Sequence, residues 1–325
     1  MNVLLNVHVQ AALAGLVVTA ATLPFWRTRC RHAGLVDDPG ERKIHDRPVP
    51  LAGGPAILTG ILLPLLVLTL AREADLLDAK WTGEMQRAFS REGTRWAGLL
   101  AGAAGMVALG WVDDRRELGA GAKFIGQLLA ALLVAACGIR VTLFVPNVAF
   151  SYALTVLWIL AVTNAFNFMD NMNGLGGGIG VIASVAFGFN AARADQPAVA
   201  ALAMLVAGAL CGFLPYNFPR ATVFLGDSGS HLVGYLLAVL AILPQFHSPR
   251  HPQPWAVLKP LLILAVPLLD LVWVVFLRWR RGKPFYVGDT NHFSHQLVRR
   301  GWSRTGAVML LWLVAALLGA FTLLF

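Results

Sequence analysis

Long apolar runs fill the chain, and short polar clusters break them at intervals. A helix needs about 20 apolar residues in a row to cross the core of a bilayer. Cut at that length, the chain predicts about ten spanning helices. They fall near residues 3–25, 51–71, 95–112, 123–138, 151–169, 174–191, 198–215, 229–245, 255–277 and 305–325. Most connections are short. The pattern therefore predicts an all-α polytopic integral membrane protein, one intramembrane domain over residues 1–325. Its longest polar connection, 72–94, carries mixed charges and Trp81. The first apolar run lacks a basic leading segment and is long enough to stay as an anchor, so no cleaved signal is expected.

Five polar clusters stand at the ends of these runs: Glu41 to His45, Trp111 to Asp114, Asn164 to Gly174, Phe224 to Ser228, and Gly288 to His295. Two spans separate each cluster from the next. With alternating spans all five lie on the same side of the membrane. Chance would scatter them over both faces, whereas one active site in loops and helix ends would gather them.

Charge gives that side a name. On the cluster side lie 17 of the 26 lysines and arginines, and cytoplasmic loops carry the excess of such residues. The clusters are thus expected to face the cytoplasm, with both termini outside. Only 13% of residues are charged and 57% are hydrophobic, against about 25% charged in a soluble domain. The net charge of +9 does not point to nucleic acid, because the basic residues flank spans and form no stripe. Cys30, Cys137 and Cys211 are odd in number and far apart, which predicts neither disulfides nor a zinc site.

Each cluster has its own chemistry. Carboxylates at a membrane boundary are functional candidates, and Asp113-Asp114 places two of them about 100° apart on a helix. One could meet a cation while the other handles a proton. Asp227 stands between Gly226 and Gly229 in Phe-Leu-Gly-Asp-Ser-Gly-Ser. Ser228 or Ser230 could cap the next helix, whose N-terminus favours an anion. Asn164, Asn167 and Asp170 follow one helix face at i,i+3 spacing. Helix–helix glue explains Asn164 alone but not the set. His292 and His295, among many arginines and lysines, suit phosphate better than metal. Lys43 and His45 lie in an ordered Pro- and Gly-rich turn and suit either a phosphate clamp or a membrane anchor. Carboxylates and amides beside basic loops fit Mg²⁺ on a pyrophosphate, with Mn²⁺ as an alternative. That combination is the chemistry of phosphoryl transfer.

The ordered set Asp113-Asp114, Asn-x-x-Asn-x-x-Asp at 164–170, Phe-Leu-Gly-Asp-Ser-Gly-Ser at 224–230 and the histidine loop at 292–295 resembles the polyprenyl-phosphate N-acetylhexosamine-1-phosphate transferases. The likeness covers nearly the whole chain. Within this bacterial glycosyltransferase family 4, the 41–54 stretch looks more like the GlcNAc-1-phosphate branch than the phospho-MurNAc-pentapeptide branch. The resemblance implies a UDP-N-acetylhexosamine donor, an undecaprenyl (polyprenyl) phosphate acceptor in the membrane lipid, UMP as product, and Mg²⁺. It implies Asp227 as metal ligand, with Asn167 as a second ligand. It implies Asp113 and Asp114 at the acceptor phosphate, as base, further ligand or covalent nucleophile, with direct transfer preferred. Lys123 would sit near the phosphates and Phe224 on the uracil. Asn173 and Asn217 would bind the nucleotide, and His292 and His295 the pyrophosphate or sugar. Asp170 would share the pocket, as would Asn164. Two positions depart from the family pattern. Asn173 stands where many members have Asp, and Ser294 interrupts the usual His-x-His-His.

A homodimer through membrane helices is compatible with this reading. A secondary transporter with an intramembrane Asp/Asn ion site is the alternative, and Asp270 inside the ninth run suits it best.

Overall fold

The computed structural model of the protein describes residues 7–39, 47–74, 92–142, 145, 147–244, 257–284 and 286–324. Lys43 and His45 lie outside them. The described residues are mostly helical. In chain order they form α1 (Val7–His32), β1 (Val36–Asp37), β2 (Val49–Pro50), α2 (Gly53–Glu73), α3 (Gly93–Arg116), α4 (Ala120–Ala136), α5 (Val148–Met169), α6 (Leu175–Arg193), α7 (Pro197–Asn217) and α8 (Gly226–Ile242). There follow α9 (Lys259–Ile263), α10 (Ala265–Arg280), α11 (Phe293–Arg299) and α12 (Arg304–Phe321).

Seven of these helices, α1, α2, α3, α5, α6, α7 and α12, are long and apolar enough to cross a membrane. Helices α4 and α8 are apolar but shorter, at 17 residues each. The expected ninth span is broken at Leu264 into α9 and α10. Pro267 accounts for the break: it has no N–H for the carbonyl of Ile263, and its ring crowds that carbonyl. Helix α3 runs a turn past its expected end, which puts Asp113 and Asp114 on the helix itself.

The interior helix is α8. Its residues Ser228 to Ala241 are all buried, as expected of a helix that is apolar all round. It packs against α2, α3, α5 and α6. Two polar tips fasten it there: Tyr235 Oη donates to the Leu99 carbonyl at 3.1 Å, and Trp158 Nε1 donates to the Ala238 carbonyl at 3.1 Å. Elsewhere small residues set the spacing. Gly208 and Gly212 of α7 lie directly on the backbone of α1 at Ala12 and Leu16, the close approach that membrane helices use in place of a hydrophobic drive.

The turn before α2 is an ordered clamp. Val36 pairs with Pro50 in the short β1–β2 ladder, and Leu51 bridges Phe224 in parallel. Phe224 N donates to Pro50 O at 2.9 Å, Gly53 N to Phe224 O at 3.0 Å and Gly54 N to Leu225 O at 3.2 Å. The 48–54 stretch thereby holds the chain that enters α8.

Candidate active site

Helix ends converge at the entry to α8. The last turn of α3 brings Asp113 and Asp114. Glu117 then takes a left-handed conformation (φ 48°), ends α3 and sends the chain directly into α4. The start of α4 therefore lies beside the end of α3, and Lys123 points back. Its Nζ is 2.5 Å from Asp113 Oδ2 and 3.5 Å from Asp227 Oδ2. Asp113 is 2% exposed, and its other oxygen accepts the Leu118 N–H at 2.8 Å.

Asp114 does something different. Its two oxygens accept the backbone N–H groups of Asp227 at 2.7 Å and Ser228 at 3.1 Å. It caps α8 from another helix and places a negative charge at that helix's positive end. The serine caps expected from sequence are not made, and no side chain of the α8 entry itself caps it. Gly226 makes the arrangement feasible. Its φ is 73°, and a Cβ there would press on the Asp114 carboxylate.

Asp227 is the meeting point. Asn167 Nδ2, from the last turn of α5, donates to Asp227 Oδ1 at 2.6 Å and to Ser230 Oγ at 2.9 Å. Asn164, one turn earlier, donates to Gln127 Oε1 at 2.7 Å and joins α5 to α4 instead. Asp170 ends α5. Burial pushes its carboxyl up to about 7, and the negative charges of Asp227 and Asp114 push it further the same way.

Two asparagines expected on the nucleotide are tied to backbone. Asn217 accepts from Gly174 N at 2.7 Å and donates to Val223 O at 3.0 Å, so it links the 170–174 segment to the approach to α8. Asn173 donates to Pro219 O at 3.3 Å. Phe224 is half-buried, with its backbone in the clamp described above.

The histidine loop folds back along α10. Asp289 accepts from Arg278 Nε at 2.9 Å and from Asn291 N at 2.8 Å. Burial opposes its charged form, but these bonds and the Arg278 charge prevail and hold its carboxyl below the usual range. Arg278 also lies over the Phe168 ring, 4.9 Å from its centre. Ser294 Oγ donates to Asn171 Oδ1 at 2.7 Å. The loop is thus fastened to the end of α5. Asp270 receives the Phe293 N–H at 2.7 Å and sits 2.6 Å from His292 Nδ1. His295, 6.3 Å from His292 between ring centres, is held below the usual imidazole range by burial and then by the positive neighbours His292, Arg299 and Arg304.

One residue escaped the sequence reading. His231, one turn after Asp227 on α8, is fully buried, and its ring lies with the carboxylates of Asp113 and Asp227. One ligand atom from each of the three lies within 4.8 Å of the others. The signal was present as Asp227-x-x-x-His231, an i,i+4 pair on one helix face, but it was hidden in an apolar run. Two carboxylates and an imidazole suit a divalent cation, and the Lys123 ammonium already bridges both carboxylates as a positive charge.

The chain matches the model of Glycosyl transferase family 4 over residues 96–245. It is 32% identical to a decaprenyl-phosphate N-acetylglucosaminephosphotransferase of Mycobacterium tuberculosis, over 94% of this chain and 80% of that one. The corresponding protein of Mycobacterium leprae is also 32% identical, over 94% and 81%. An undecaprenyl-phosphate alpha-N-acetylglucosaminyl 1-phosphate transferase of Escherichia coli is 27% identical, over 93% and 79%. These matches run through the helix ends that carry Asp113, Asn167 and Asp227, and on them the chain belongs to the polyprenyl-phosphate N-acetylhexosamine-1-phosphate transferase family.

Proposed function

We propose that the protein transfers N-acetylglucosamine 1-phosphate from UDP-GlcNAc to undecaprenyl phosphate and releases UMP. One observation carries this reading most directly: the carboxylates of Asp113 and Asp227 meet beside Lys123 where helix ends converge. About ten spans, counting α9 and α10 as one, would carry that site to the cytoplasmic side of a bacterial inner membrane. A lipid phosphate in that leaflet and a soluble nucleotide sugar can both reach such a place.

Asp227 and Asp113 would hold Mg²⁺, with Asn167 steering Asp227 through its amide. The bound ion supplies charge neutralisation at the pyrophosphate. The chain's own groups do the rest. Lys123 is placed to pair with phosphate oxygens as charge builds on them. The acceptor phosphate attacks as its dianion, already a competent nucleophile, so Asp113 as a metal ligand has no proton to take. An acceptor oxygen attacks the donor's β-phosphorus, the bond to the bridging oxygen breaks, and its electron pair leaves with UMP. Asp114 serves indirectly, because both of its oxygens already cap α8. His292, held by Asp270, and His295 offer donors for the pyrophosphate or sugar. The transporter alternative loses its best residue, since Asp270 is bonded to His292 and Phe293.

The test is UMP release by purified protein with Mg²⁺, undecaprenyl phosphate and a panel of UDP-sugars, beside Asp227→Asn. Release that requires both lipid and metal, prefers UDP-GlcNAc, and disappears in the variant is the expected result. Folded protein that releases no UMP from any donor would sink the proposal.

A further inference from the structure

We infer that His231 is a third protein ligand of the divalent cation, joining Asp113 and Asp227 through a ring nitrogen, and that this site therefore favours Mn²⁺ or Co²⁺ over Mg²⁺. The inference rests on the reading of the site as a metal-dependent phosphotransferase and deepens it.

Three observations support it. First, α8 places Asp227 and His231 four residues apart, so both side chains project from the same helix face one turn apart. That face meets the last turn of α3, where Asp113 stands. Second, His231 is 0% exposed, and neither of its ring nitrogens has a hydrogen-bond partner among the described residues. Buried polar atoms are nearly always paired, and leaving them unpaired opposes folding. A cation on one nitrogen satisfies it without any second polar side chain. Third, the three ligand atoms already lie within 4.8 Å of one another. Ligands on one small cation lie about 3–4 Å apart, given bonds of about 2.1 Å, so modest side-chain rotation closes the set.

The surroundings agree. The Lys123 side chain is 30% exposed while His231 is enclosed, so the two approach the carboxylates with different access to solvent. With a cation held by His231 and the two aspartates, the Lys123 ammonium no longer has to balance both carboxylates. It is then free for the phosphates. Mg²⁺ prefers oxygen ligands and retains water, whereas Mn²⁺ and Co²⁺ accept imidazole more readily. An oxygen-only site would lack this bias.

The probe is Mn²⁺ itself, bound to the full-length protein in detergent and read by pulsed electron paramagnetic resonance. Wild-type protein should show nitrogen coupled directly to Mn²⁺, and the signal should change isotope signature when the protein is grown on ¹⁵N-histidine. The coupling should vanish in His231→Gln and His231→Leu but persist in His295→Gln. Apparent Mn²⁺ affinity should fall at least about tenfold in both His231 variants, given that loss of even an outer-shell partner costs that much at metal sites. The ratio of UMP release with Mn²⁺ to that with Mg²⁺ should fall as well. Wild-type protein that binds Mn²⁺ without coupled histidine nitrogen, or that binds no Mn²⁺, overturns the inference, and labelled wild-type protein gives that answer even if a variant misfolds. UMP release separates this from the function itself. Turnover without coupled nitrogen removes only His231, whereas coupled nitrogen without turnover removes only the transferase reading.

Discussion

Asp113 and Asp114 are neighbours in sequence and opposites in use. Asp114 makes two hydrogen bonds to the first turn of α8, and Asp113 pairs with Lys123. Asp114→Ala should therefore lower thermal stability by about 1 kcal/mol, the usual scale of a lost helix cap, and lower turnover with it. Asp113→Asn should leave the melting temperature close to wild type and reduce turnover by about 10- to 100-fold or more, since the loss of even an outer-shell partner costs that much at a metal site. Melting curves and UMP release on the same preparations distinguish the two patterns. That the aspartate pair, Asn167 and Asp227 come together was readable from sequence, because polar residues at the ends of apolar runs demand a reason. Their division of labour was not, since only the packing of α3 on α8 decides which oxygen meets which N–H. Asn217 shows the same limit. An amide offers two N–H donors and an oxygen with two lone pairs, and backbone at Gly174 and Val223 takes one of each. His231 was missed for the converse reason: a lone polar residue inside an apolar run reads as packing.

At the level of elements, the N-terminus of α8 is pressed between two glycine surfaces. A Cβ on Gly54 of α2 would run into Ser228 and Gly229, and one on Gly110 of α3 would run into the backbone of Asp227 and Ser228. Backbone cannot yield as a side-chain tip can. Gly110→Ala should push α3 away from α8, cost about 1–3 kcal/mol as overpacking does, and reduce UMP release through the displaced Asp113. Gly105→Ala, on the same helix with open space around the site of the new methyl, should do neither. Equal effects of the two substitutions on activity would mean that the close approach does not matter. From sequence, Gly54 was part of a turn and Gly110 part of a span, and nothing in either run names its neighbour. The break within the ninth run was not legible in the sequence. The hydropathy of that run is continuous, and hydropathy does not register that Pro267 leaves a carbonyl without a partner.

For the molecule as a whole, the helices rest on their own packed interior and not on the site at their ends. Removing divalent metal with EDTA should abolish UMP release, and added Mg²⁺ or Mn²⁺ should restore it, while helical circular dichroism stays unchanged. A loss of helix with EDTA would make the cation structural. Seven long apolar helices were legible because a bilayer reads length and apolarity, which a sequence states openly. Their arrangement was not, because a helix facing lipid and a helix facing other helices are equally apolar. Helix α2 exposes Leu66, Val67 and Leu70, whereas α8 exposes almost nothing after its first turn. That contrast separates two kinds of pressure on the chain. The outer side chains answer to the thickness and fluidity of the lipid around them, and the enclosed helix answers only to its neighbours. A lineage moving to a different lipid composition could rewrite Val67, Leu129 or Leu317 freely and carry the reaction centre across unaltered.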